Sequence, residues 1–246
     1  MRNIMIEIEY DGTNYSGWQI QPNARSVQEE IMKALKKITN EEIKLNAAGR
    51  TDAGVHAKGQ VANFYLNASI PTNRIVPALN SNLAQDITVL NAKEVPLDFH
   101  ARYSAESKKY LYNIYNSSTR SSLFRNYSYH VTNKLSISKM ENAAKKLIGT
   151  HDFKAFMSSG SSVQDTVRTI YTIKIDKHNN NICLSFHGNG FLYNMVRIIV
   201  GTLVEIGTDK RPIEDIEQIL LSKDRRKAGH TAPPQGLILE KVYYPS

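Results

Sequence analysis

Ile4, Ile6, Ile8 and Tyr10 alternate with other residues over residues 4–10 (IMIEIEY), a period of two that predicts a half-buried strand. Asp11-Gly12 ends the run, and a loop holding the only tryptophan, Trp18, leads on to Ser26. Ser26 stands three residues before Glu29, the spacing of a capping box. Val27, Ile31, Leu35 and Ile38 then recur at helical intervals and predict one apolar helix face. Strand-like IKLNAA (43–48) and QVANFYL (60–66) follow. A helix over residues 72–83, interrupted by Pro77, and a strand ITVLNAKEV (87–95) complete a β-α-β-β-α-β order.

The second half of the pattern repeats that order. Residues 109–116 read as a strand with Tyr110 and Tyr112 on one face and Leu111 on the other. A helix is expected over 138–148, and a hairpin of 167–176 with 182–187 around Asn179-Asn180-Asn181. Met195, Ile199, Leu203 and Ile206 give helical spacing within 191–206. A short helix after Pro212 and a strand over 237–243 close the chain. The expected class is α+β: two ferredoxin-like halves, residues 1–100 and 101–246, joined into one large, mostly antiparallel sheet. Helices on one side of that sheet leave a cleft for a ligand, and both halves form one catalytic unit. Residues 96–107 are the natural boundary.

Composition narrows the setting. At 246 residues, with 41% hydrophobic and 22% charged, the chain can bury a core without disulfides or metals. The single cysteine, Cys183, excludes an internal disulfide framework and fits a reducing cytosol. It lies in strand-like ICLSFH and reads as a packed thiol rather than a nucleophile. No apolar run approaches the roughly 18 residues of a membrane span, and the N-terminus lacks the apolar block of a secretory signal. A cytoplasmic protein without a membrane partner is the expectation. Thirty-one Lys and Arg against 23 Asp and Glu give a charge of +8, which favours a polyanionic partner such as nucleic acid.

Several chemistries lack their residues. The seven histidines show no HExxH or paired spacing, and one cysteine cannot build a CxxC site, so no metal is expected. Neither a GxxxxGKS/T phosphate loop nor a GxSxG serine elbow occurs. Gly188-Asn189-Gly190 precedes a helix, but a lone GxG equally marks a hairpin-to-helix turn. What remains is Gly49-Arg50-Thr51-Asp52-Ala53-Gly54-Val55-His56, an aspartate and an arginine between two glycines beside a strand. By pattern alone it reads either as a turn with a surface ion pair or as a carboxylate site. A carboxylate can act as a nucleophile at a sugar carbon, and Arg50 beside Asp52 would keep it ionised and oriented.

The stretch AGRTDAGVHAKGQVANF (48–64) resembles the signature of the tRNA pseudouridine synthase A family. Four further blocks follow that family's order: YDGTNYSGWQIQP with SVQEEI (10–22, 26–31), DFHARYSAESKKYLYNIYN (98–116), GNGFLYNMVRIIVGTLVEIG (188–207) and AGHTAPPQGLILEKVYYP (228–245). The resemblance implies isomerisation of uridine to pseudouridine in the anticodon stem-loop of tRNA, at positions 38–40, without cofactor or metal. It implies Asp52 as the nucleophile and Tyr110 as a tyrosine contacting the flipped uridine. Arg50 is implied to guide the RNA or fill the place of the flipped base, and Arg197 to approach Asp52 as an ionic partner. Lys58, Lys108, Lys109, Arg225 and Arg226 are expected phosphate contacts in an RNA-binding cleft. Lys108-Lys109 departs from the arginine of the family pattern, which touches grip on RNA rather than chemistry. A homodimer with tRNA as partner is also implied.

Two other classes stay open. A non-catalytic RNA-binding or chaperone protein on the same scaffold would use the basic charge and the aromatic strand equally well. A carboxylate-dependent glycoside hydrolase would need a second essential acid.

Overall fold

The computed structural model describes residues 1–160 and 163–245, and among these residues it contains ten strands and five α-helices, an α+β protein. The chain divides into two units: Met1–Glu106 with Ile238–Ser246, and Ser107–Leu237.

In the first unit the strands are β1 (Arg2–Tyr10), β2 (Asn46–Ala47), β3 (His56–Leu66) and β4 (Ile87–Val95), with helices α1 (Val27–Thr39) and α2 (Thr72–Asn80). Their order along the chain is the predicted β-α-β-β-α-β. β1 lies antiparallel between β4 and β3, and β2 pairs antiparallel with β3. The last strand of the chain, β10 (Leu237–Tyr243), pairs parallel with β3 at Ile238–His56 and Leu239–Ala57. The alternation of β1 does what its pattern predicts: Ile4, Ile6, Ile8 and Tyr10 are buried, while Glu9 is exposed. α1 starts where expected, with the Ser26 hydroxyl accepting from the Glu29 amide at 3.4 Å. It stops at Asn40, whose left-handed backbone (φ 57°) forms the C-cap. α2 ends three residues earlier than its pattern. At its end the Asn80 side chain pairs with both backbone groups of Val89.

Residues from Pro96 onward, expected as a boundary, are pinned to this unit by two buried asparagines. Asn3 donates to the carbonyls of Pro96 and Phe99, and Asn63 accepts from the Ala101 amide. Covered on both sides, β3 has residues 59–64 buried throughout, so its periodicity of two is erased.

The second unit contains β5 (Ser107–Asn116), β6 (Tyr129–Val131), β7 (Gly149–Asp152), β8 (Val167–His178) and β9 (Asn181–Gly188). Its helices are α3 (Ile137–Lys145), α4 (Met195–Gly207) and α5 (Asp215–Ser222). β9 lies antiparallel between β5 and β8, β7 extends the sheet beyond β8, and β6 runs parallel to β5. The hairpin turn needs only Asn179-Asn180, with Asn179 at φ 54°. α4 begins at Met195 rather than near residue 191, because Asn194 sits in the left-handed region at φ 59°. Nearly all of α4 is buried, and it packs against α3. β6 and β7, at three and four residues, were not predicted.

Candidate active site

Asp52 sits in the loop between β2 and β3, half-buried, with Arg50 exposed before it. The loop is anchored by backbone. The Thr51 carbonyl accepts from the Trp18 amide at 3.0 Å, and the Gly54 amide donates to the Tyr15 carbonyl at 3.3 Å. Val55 closes a turn back to the Asp52 carbonyl at 3.1 Å, and Gly54 takes a φ of 75°, as expected of its glycine.

The partner of this loop is the segment YDGTNYSGW. A Cβ on Gly12 would lie 2.0 Å from the Val55 carbonyl oxygen, and one on Gly17 would lie 2.5 Å from that of Thr51. Gly17 also holds φ at 97°. Only glycine lets the two backbones meet here. The contact passes to α1 as well, since Val27 and Gln28 donate to the Gly17 and Trp18 carbonyls. A strand end, a helix start and the aspartate loop are therefore one packed assembly.

Side chains reinforce both flanks of Asp52. On one flank the Tyr10 hydroxyl, 2.7 Å from the Thr51 hydroxyl, is buried and also meets the Gln60 side chain. Gln60, fully buried, donates to the Gly49 carbonyl at 2.9 Å. Burial pushes the Tyr10 phenol far above its ordinary range, and the hydrogen bonds from Thr51 and Gln60 only partly oppose that, so it stays neutral. On the other flank His56 is buried, with Nδ1 accepting from the Gly12 amide at 3.0 Å and lying 3.1 Å from Asp11 Oδ1. Sequence reasoning passed over Tyr10, Thr51, Gln60 and His56. His56 and Gln60, polar residues close to Val55, Ala57 and Val61, were the available signal, because buried polar groups require partners, whereas Tyr10 and Thr51 sit between charged residues and gave none.

In the second unit Tyr110 lies on β5 opposite Phe186, 8% exposed, with the Phe191 ring edge-on at 5.3 Å. Tyr112, two residues on, is fully buried and donates to the Pro233 carbonyl at 2.7 Å. Burial raises its phenol well above the ordinary range, against the charge of nearby Arg197.

Arg197 projects from α4. Its Nε donates to the Ala232 carbonyl at 2.8 Å and Nη1 to Asn194 Oδ1 at 2.7 Å, while the Ala232 amide returns a bond to the Arg197 carbonyl. The segment carrying Ala232 is fastened along the same helix. Gly201 lets it approach (a Cβ there would meet the His230 carbonyl oxygen at 1.8 Å), and Thr202 accepts from the Gly229 amide. Glu205 accepts from both the His230 amide and Nδ1 at 2.9 Å and pairs with Arg211. Partial burial works against the Glu205 carboxylate, but those bonds from His230 and Arg211 hold its pKa below the ordinary value.

The expected phosphate contacts differ in how they are engaged. Lys108 and Lys109 are half-buried on β5. The Lys58 ammonium lies 3.7 Å from a Glu240 carboxylate oxygen. Arg225 turns inward to Thr231 and Ala228, and burial lowers its pKa. Arg226 is forked on Asp224, whose carboxyl the arginine draws down to about 2. Among the described residues no three His, Cys, Asp or Glu side chains converge as a metal site requires, and no helix is long and apolar enough to cross a membrane.

A sequence model of a family described as tRNA pseudouridine synthase matches residues 6–104 and 143–245. The chain is 54% identical over 244 residues to a tRNA pseudouridine synthase A of Thermoanaerobacter sp. (strain X514), covering 99% of this chain and 100% of that relative. It is 52% identical to one of Acetivibrio thermocellus, and 49% identical to a tRNA pseudouridine synthase A 2 of Clostridium perfringens, each with the same coverage. Among solved structures, one in a Cbf5-Nop10-Gar1 complex is a distant likeness. It shares 13% identity and a TM-score of 0.39, over 96% of this chain and 58% of that one. The chain belongs to the tRNA pseudouridine synthases, and within them to the synthase A family; it is an isomerase that acts on tRNA.

Proposed function

We propose that the chain isomerises uridines in the anticodon stem-loop of tRNA, positions 38–40, with Asp52 as nucleophile. The observation that carries this reading is the mounting of Asp52: a half-buried carboxylate on a loop fixed by backbone and side chains on both flanks. The C1′–N1 bond breaks, the uracil turns, C5 bonds to C1′, a proton leaves C5 and one is gained at N1. Nothing is consumed and no electrons are exchanged, so the net reaction needs no cofactor.

Extruding the uridine costs a few kcal/mol, and stacking on an aromatic ring returns roughly 1–3 kcal/mol of it. Tyr110 takes that stacking role and assists the proton transfer from C5. Arg50 guides the RNA or fills the place of the flipped base, and Arg197 acts as the ionic partner of Asp52. Lys58, Lys108, Lys109, Arg225 and Arg226 contact phosphates. The working form is a cytoplasmic homodimer bound to tRNA.

Asp52→Ala tests the reading. Pseudouridine formation on transcript tRNA is expected to fall at least about 10⁴-fold, the scale seen when a catalytic nucleophile is removed. Circular dichroism and tRNA affinity should change little. Undiminished product would overturn the role of Asp52, and wild-type chain that binds tRNA without forming product would favour a non-catalytic RNA-binding protein.

A further inference from the structure

We infer that Tyr10, Thr51 and Gln60 form a buried positioning device that sets the Asp52 backbone for the chemical step; this rests on Asp52 being the nucleophile. Thr51 is the residue immediately before Asp52 and is 7% exposed, and its hydroxyl ends on the Tyr10 hydroxyl at 2.7 Å. The Tyr10 ring is 3% exposed and stands at the end of β1, fixed by pairing with Ala57 on β3 and by the Trp18 ring at 6.1 Å. Gln60 belongs to β3 and reaches back to the Gly49 carbonyl, on the far side of Arg50. Two strands thus hold the loop at residues 49 and 51 through side chains with no net charge.

Packing alone does not call for these groups. The Tyr10 ring would fill its site without the hydroxyl, and the Thr51 carbonyl is already fixed by the Trp18 amide. The Tyr10–Thr51 hydrogen bond adds a constraint on the rotation of residue 51 about its backbone, and so on the direction in which residue 52 leaves it. A displacement of 1 Å at a reacting group costs up to about 100-fold in rate. A nucleophile on a loop therefore gains most from a tie at the residue next to it.

The test is Tyr10→Phe, which removes one oxygen and keeps the ring, measured in single-turnover conversion of transcript tRNA well below the melting temperature. Single turnover separates chemistry from product release. The maximal rate is expected to fall by about 10- to 30-fold, with the tRNA concentration at half-saturation within about twofold of wild type. Thr51→Val should give the same split, Thr51→Ser should recover much of the loss, and the double variant Tyr10→Phe/Thr51→Val should lose no more than either single one. Additive losses, or a lowered melting temperature with an unchanged maximal rate, would reduce the network to a structural one and overturn the inference. Should Tyr10→Phe fail to fold, Thr51→Val carries the same outcomes. If Asp52→Ala stays active, the nucleophile reading fails; if Asp52→Ala is inactive and Tyr10→Phe is not slowed, this inference alone fails.

Discussion

The aspartate loop of the first unit and the Ala228–Ala232 segment of the second solve one problem in two ways. Each lies against its neighbour through glycines that bring backbones together, Gly12 and Gly17 in one case, Gly201 and Gly229 in the other. Their side-chain ties then diverge. One flank of Asp52 is tied by uncharged hydroxyls and an amide, Tyr10, Thr51 and Gln60. The segment under Arg197 is tied by the Glu205 carboxylate to His230, with Arg211 and Asp215 behind it. A neutral tie holds its geometry regardless of salt and pH, whereas an ionic one is screened and titrates. On that flank, the loop bearing the proposed nucleophile has a tie that salt and pH do not loosen.

The comparison breaks most easily at what the two regions share. Gly12→Ala and Gly201→Ala each place a Cβ within about 2 Å of a carbonyl oxygen that cannot swing away. Each is expected to lower unfolding free energy by about 3 kcal/mol, read from urea midpoints. If one is tolerated, that region holds its segment more loosely than the distances imply.

Glu205→Gln sharpens the difference. Because the folded pKa of Glu205 is depressed, its contribution to stability is present above its unfolded value of 4.5 and is lost as pH falls through the folded value. The wild-type urea midpoint should therefore drop on acidification below about pH 4.5 more steeply than that of Glu205→Gln. Tyr10→Phe, by contrast, should lose the same amount of stability at every pH from 4 to 8. Equal acid slopes for wild type and Glu205→Gln would remove the charged character assigned to the second region.

The smallest effect belongs to the exposed fork of Arg226 on Asp224. Arg226→Gln should leave the melting temperature unchanged, since exposed ion pairs contribute little. Its effect on the salt dependence of tRNA binding should be smaller than that of Lys109→Gln, which is expected to reduce the log–log slope by about 1. A larger effect at Arg226 would show that RNA displaces Asp224.

Much of this was legible in the sequence, because period and punctuation are local. The β1 alternation, the Ser26 cap, β4 and β10 all fall where the pattern puts them. Failures have local causes too. β6 and β7 are too short to show a period, and α4 starts late because Asn194 adopts a left-handed backbone. Within the site, Asp52 stood out through its neighbours, while Tyr10 and Gln60 did not. Their importance lies in a contact between residues 41 positions apart, and in one from Gln60 back to residue 49. Gly12 and Gly17 were likewise hidden, since a close approach is visible only when both backbones are in place.

The return of β10 to β3 sets a schedule for biogenesis. Residues 107–237 must all be synthesised before Ile238 and Leu239 can pair with His56 and Ala57. At about 5–20 residues per second that interval is on the order of ten seconds. Until then the end of β3 that carries the loop of Asp52 has no β10 to pair with. The chain's proposed catalytic loop is thus among the earliest parts made and the last to have its sheet completed.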